Sequence, residues 1–126
     1  MKTKYTLIGL AVALAGLVGL AGCATPSAMR SSTAAIDMTS KRPAKDVAIC
    51  VADRWENVGL LGTTTAVSMR PTRTGYTVAF RNEQTGHTQL LTDVDETAEG
   101  SRTRYFKNFV LGEGGFDKAV QECQAG

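Results

Sequence analysis

A single histidine, His87, is present among 126 residues. That scarcity removes Cys–His metal centres, because the other ligands would have to be carboxylates and no recognisable ligand spacing joins them. It also leaves one general base near neutral pH, and His87 follows Gly86 at a hairpin, where side chains are usually exposed. Ser68 and Ser101 lack a GxSxG elbow or any other nucleophile motif. The stretch Leu111-Gly112-Glu113-Gly114-Gly115 has neither the lysine of a phosphate loop nor a full GxGxxG, so it reads as a strand-to-helix connection. Asp93, Asp95, Glu96 and Glu99 lack the DxDxDG pattern of a calcium loop and read as a solvated turn. No cofactor and no metal is implied. With 43% hydrophobic, 6% aromatic and 21% charged residues, wholesale disorder, collagen-like repeats and a multi-domain enzyme are excluded as well.

Charge is missing altogether from Tyr5 to Leu20, and Lys2 and Lys4 precede that run. This is the pattern of a bacterial export signal over residues 1–22. Its apolar core falls short of the ~20 residues of a membrane-spanning helix. The segment Leu20-Ala21-Gly22-Cys23 resembles the lipobox of bacterial lipoproteins. The resemblance implies a diacylglycerol on the Cys23 thiol, cleavage before Cys23 and acylation of the new amine, hence a stable membrane anchor. Ala24 stands where an aspartate would retain the protein at the inner membrane, so the implied address is the outer membrane, with the domain facing the periplasm.

Lys2 and Lys4 belong to the signal, and the 12 basic residues that remain balance 12 acidic ones. The mature chain therefore has no net field to draw polyanions from a distance, and nucleic acid is not an expected partner. Of three cysteines, lipid consumes Cys23, which leaves Cys50 and Cys123 in an oxidising compartment. They are expected to pair as a disulfide.

Residues 23–39 are rich in Ala, Ser and Thr without a sustained apolar period, and read as a lipidated flexible tether; Ile36 and Met38 are its exceptions. Residues 40–126 form the domain. A helix is expected from Pro43, because Ala44, Val47, Ala48, Val51, Ala52 and Trp55 recur at steps of three and four. Asn57 and Gly59 end it, and Trp55 reads as core. After Gly62 the period becomes two. Strands are expected over 63–70, 76–81, 87–94 and 102–109, with turns at Pro71–Gly75, Asn82–Gly86 and Asp95–Gly100. Phe116, Ala119, Val120 and Cys123 mark a closing helix. The expected fold is α+β: a four-stranded antiparallel meander with both helices on one face, stapled to each other by Cys50–Cys123.

Arg70, Arg73, Arg81, Arg102 and Arg104 concentrate in the strands and their turns. Arg81 alternates with Tyr76, Val78 and Phe80, while Arg102 and Arg104 share a side of their own strand. If registry aligns them, Arg81, Arg102 and Arg104 make a candidate anion-binding patch on the helix-free sheet face. The ordinary alternative is a solvated charged surface.

The lipobox, Ala48-Ile49-Cys50-Val51-Ala52-Asp53-Arg54-Trp55-Glu56, Gly75-Tyr76-Thr77-Val78 and the closing Phe116-Asp117-Lys118-Ala119-Val120-Gln121-Glu122-Cys123 resemble small proteobacterial lipoproteins. That group supplies no catalytic residue to carry over. The sequence thus points to a lipid-anchored envelope protein that binds rather than catalyses, as a ligand-binding or assembly accessory. Its expected partners are membrane lipid through Cys23 and an envelope protein, lipid A or peptidoglycan. An enzyme or inhibitor acting on envelope polymers, and a structural surface antigen, are the alternative classes.

Overall fold

The computed structural model describes residues 25–58, 65–108 and 114–125. Cys23 and the expected export signal over residues 1–22 lie outside them, as do residues 59–64 and 109–113. The elements run α1 (Pro26–Arg30), β1 (Ile36–Ser40), α2 (Ala44–Asn57), β2 (Thr65–Pro71), β3 (Gly75–Asn82), β4 (Thr88–Thr97), β5 (Gly100–Lys107) and α3 (Gly114–Gln124). The five strands form one antiparallel sheet in the order β1-β5-β4-β3-β2.

Strands β2 to β5 make the expected meander, since each joins its neighbour through a short turn. Two expectations need correction. The sheet has a fifth strand and the chain a third helix, and both come from the segment expected to be a tether. β1 pairs with β5 from Ile36↔Tyr105 to Ser40↔Ser101. It escaped the sequence reading because an edge strand can satisfy its backbone while burying little: only Ile36 of its five residues is buried. α1 is five residues long and buries only Met29. A signal for it was present, because Thr25 caps the helix through its Oγ1, which accepts from the Ala28 N–H at 3.2 Å, and Pro26 takes the first helical position.

The two longer helices cover one face, as expected. α2 buries Ala44, Val47, Ala48, Val51, Ala52 and Trp55, the stripe read from the sequence. Beneath it lie Val78 and Phe80 of β3, Leu90 and Val94 of β4 and Tyr105 of β5, with Phe116, Ala119 and Val120 of α3 closing the side. Trp55 sits at the centre, edge-on to Tyr105 and Phe116 with ring centroids 6.0 Å away in each case. Its indole Nε1 donates to the Phe116 carbonyl at 3.3 Å, so the ring is buried without stranding its polar atom. The disulfide Cys50–Cys123 joins α2 to α3 across a Cα–Cα distance of 5.7 Å.

Gly100 shows why the turn from β4 to β5 needs glycine. Its φ is +153°, and a Cβ there would stand 2.1 Å from the Ser40 carbonyl oxygen. The turn is thereby pressed against the end of β1 and the entry to α2. Glu96 at the end of β4 completes that junction, accepting from the Ala44 N–H at the start of α2 at 3.2 Å.

The opposite sheet face was expected to be free of helices. Instead α1 lies across it, and Met29 packs with Ala79, Leu91 and Phe106 in a second, smaller core. Phe106 lies on the same side of β5 as Arg102 and Arg104. What buries it is the helix that sequence periodicity did not reveal.

Candidate functional site

Antiparallel register carries one row of side chains across the α1 face: Asp37 on β1, Arg104 on β5, Asp93 on β4, Thr77 on β3 and Arg70 on β2. The next row holds Thr39, Arg102, Asp95 and Gly75. Arg81, Arg102 and Arg104 therefore do share this face. They do not share a job.

On the β1 side of the face every arginine has a carboxylate. Arg102 grips Asp37 with both forks, Nε to Oδ1 at 2.9 Å and Nη2 to Oδ2 at 2.7 Å. Arg104 donates Nη2 to Asp95 at 3.0 Å, and Thr74 Oγ1 donates to the other Asp95 oxygen at 2.5 Å. Arg30 reaches down from α1 to Asp93, Nε to Oδ2 at 2.8 Å and Nη2 to Oδ1 at 3.0 Å, while Thr77 Oγ1 adds a bond to Oδ1 at 2.7 Å. Burial pushes the Asp93 carboxyl up, but hydrogen bonds from Arg30 and Thr77, with the charges of Arg30 and Arg104, outweigh it and hold it below its ordinary value. The hydrogen bond from Arg102 likewise lowers Asp37. Arg102 and Arg104 are thus neutralised by the sheet itself. This corrects their assignment to a patch free for outside anions: registry, which the sequence does not disclose, sets an aspartate diagonally across from each of them.

The β2–β3 side differs. Here a groove of about 440 Å³ opens beside α1. Ala79 and Leu91 contribute to its floor and Thr25 and Pro26 to one wall, and the lining includes Arg30, Arg70, Arg81 and His87. No carboxylate among the described residues lines it. Arg70 makes no ion pair or side-chain hydrogen bond among the described residues. Arg81 spends one N–H on the Gly86 carbonyl at 3.0 Å, which leaves most of its donor fork uncommitted.

Local sequence builds this wall. Asn82 folds the hairpin back, its Oδ1 accepting from the Gln84 N–H at 2.9 Å and the Thr85 N–H at 3.1 Å. Gly86 closes the loop at φ +72°, a conformation that suits glycine. A register shift between Phe80 and Arg81 sets Arg81 opposite Thr88 and directs it along the groove's rim. His87 is exposed in the wall, as its hairpin position predicted.

Of the residues named from sequence for recognition, the groove keeps Arg81. It adds Arg70, which the sequence reading had counted among the strand arginines, and His87, which had been weighed only as a general base. The acidic cluster of Asp93, Asp95, Glu96 and Glu99 is dispersed by the pleat: Asp93 and Asp95 enter ion pairs on the α1 face, while Glu96 serves α2. No group of metal-ligating side chains gathers among the described residues. Ser101 is buried and donates to the Arg42 carbonyl at 2.8 Å. No helix among the described residues is long and apolar enough to cross a membrane. No protein-family model, curated protein or solved structure matches the chain.

Proposed function

We propose that the chain is a lipoprotein of the bacterial outer membrane, anchored through acylated Cys23, whose α+β domain is a non-catalytic accessory that binds an anionic group of the envelope. One observation carries the binding part of this reading. Arg70 and Arg81 line the groove without a carboxylate partner among the described residues, whereas Arg30, which also borders it, and Arg102 and Arg104 beyond it are each matched to an aspartate. Guanidinium forks left unmatched beside a concave wall suit phosphate or carboxylate oxygens. The groove offers donors in number and a His87 ring, a set suited to holding charge rather than to attacking a bond. The lipobox supports the anchor and the export signal supports the address.

Two measurements test the reading. Cys23→Ser should abolish acylation and leave soluble or uncleaved protein; normal recovery of the variant in the detergent phase would end the anchor. For the groove, detergent-solubilised mature protein should bind pyrophosphate with an affinity that falls as salt is added. The Arg70→Gln/Arg81→Gln double variant should fold normally and bind at least about tenfold more weakly. Unchanged affinity in the folded variant removes the groove as the site.

A further inference from the structure

We propose that the anion taken by this groove is the phosphate of an anionic phospholipid in the membrane that holds the Cys23 lipid, so that the domain lies with its α1 face against the bilayer. The proposal rests on the lipid-anchor reading and gives the groove its occupant.

Covalent reach is the first argument. Thr25 and Pro26 form part of the groove wall. Cys23 precedes Thr25 by two residues, and two residues of fully extended chain span at most about 7 Å. The interfacial layer on each side of a bilayer is itself about 5–7 Å deep. A lipid on Cys23 therefore brings the groove to headgroup depth, whatever path residues 23 and 24 take. There is no length of spacer with which to hold it away, because the segment expected to serve as one is folded into α1 and β1.

Charge gives the second argument. The surface around the groove carries Arg70 and Arg81, and Arg73 is exposed in the turn between β2 and β3; the one nearby acid on the β3–β4 hairpin is Glu83. The helix layer on the far side has no such cationic excess. α2 and α3 together hold five carboxylates, Asp46, Asp53, Glu56, Asp117 and Glu122, against Lys45, Arg54 and Lys118, and Lys107 beside Asp117 and Arg42 on the Cys123 carbonyl bring that side close to balance. Near an anionic surface the domain is attracted by the groove side alone, and that side is the one the anchor delivers. Zero net charge overall is compatible with this, because orientation depends on the asymmetry of charge rather than on its sum.

Arginine footprinting on the intact mature lipoprotein tests the proposal. The protein is reconstituted into vesicles of phosphatidylcholine alone or of phosphatidylcholine with phosphatidylglycerol, and phenylglyoxal modification is followed by peptide mass. Arg70 and Arg81 should react about fivefold more slowly in the anionic vesicles, with Arg54 on α2 as the unaffected reference. Raised salt should erase the difference. Equal rates in the two membranes, or equal slowing of Arg54, overturns the proposal. A third arm adds inorganic phosphate to the neutral vesicles. Protection there without protection by phosphatidylglycerol overturns the membrane occupant while leaving the anion groove standing. The same digests report the mass of the peptide beginning at Cys23, and absence of acyl mass overturns the anchor and this proposal together.

Discussion

Two sides of one sheet are buried by different chemistry. Under α2 and α3, strands β3, β4 and β5 present Val78, Phe80, Leu90, Val94 and Tyr105, all at most 1% exposed, to a layer built around Trp55. Under α1 the same three strands present Ala79, Leu91 and Phe106 to a single buried methionine, and the remainder of that face is filled with ion pairs. A strand's alternation thus assigns its odd and even residues to separate tasks. The apolar side supplies most of the free energy of folding, since burial scales with apolar area removed from water. The ionic side adds little stability per pair and is left with guanidinium groups that the domain does not consume. The proposed binding groove lies where packing is incomplete.

The strongest way to break this comparison is to attack the α2–α3 layer and watch the groove. Replacing both Cys50 and Cys123 by Ser should cost roughly 4 kcal/mol, because the staple spans 73 residues of sequence and constrains the unfolded chain. Trp55→Ala should cost a comparable 3–5 kcal/mol or so through the cavity it leaves. Denaturant titration gives both numbers. Thiol titration of denatured, unreduced protein should meanwhile find neither cysteine free. If the two sides are as separate as their packing suggests, pyrophosphate affinity of the double-serine variant should match wild type at temperatures where it remains folded. A parallel loss of binding would show that the groove depends on the far layer.

How much of this was legible beforehand follows the same division. The α2 stripe is plain in the sequence, because a long helix over a large core repeats its apolar residues at three and four. The alternation of β3 is equally plain, and it separates Val78 and Phe80, buried under the helices, from Arg81. β1 and α1 show no apolar period because each buries one residue, Ile36 or Met29, and α1 is marked only by its Thr25 cap and Pro26. The fate of the arginines was hidden for a separate reason. Arg102 and Arg104 are neutralised by Asp37 and Asp95, which lie 65 and 9 residues away in sequence, and only strand register sets them in reach. Arg81 has no such partner among the described residues, since its neighbour across the bulge is Thr88 rather than an acid.

A medium effect should come from the one ion pair that has a packing role. Asp93 is buried beneath α1 and receives Arg30 and Thr77, so Asp93→Asn removes the charge that fastens the helix to the sheet. A cost of about 1–3 kcal/mol is expected, the range for losing one side of a charged hydrogen-bond set. The pH dependence has a defined sign. Asp93 has a lowered pKa in the folded protein, so its contribution is fully present above the unfolded carboxylate value near 4 and is lost as pH falls through the lower folded value. Stability measured from pH 6 down to about pH 2 should therefore fall less steeply in Asp93→Asn than in wild type. An identical acid limb in both proteins would mean that α1 is held by Met29 alone.

The smallest effect should come from Arg102→Gln, although its geometry is the best of the three pairs. Two parallel bonds at 2.9 and 2.7 Å join it to Asp37, yet both side chains are nearly half exposed, 49% and 46%. Water competes for each bond, salt screens the pair, and holding the arginine still costs side-chain entropy, so denaturant titration should scarcely separate the variant from wild type. The variant is more informative for binding than for stability. Removing Arg102 frees Asp37 and adds one net negative charge to the β1 side of the α1 face, away from the groove. If the groove recognises its anion by local forks at Arg70 and Arg81, pyrophosphate affinity should barely move at moderate salt, where charges beyond about 10 Å are screened. If affinity instead falls as far as it does in Arg70→Gln/Arg81→Gln, the whole face acts as one electrostatic surface, and the division between its paired and unpaired arginines carries no functional weight.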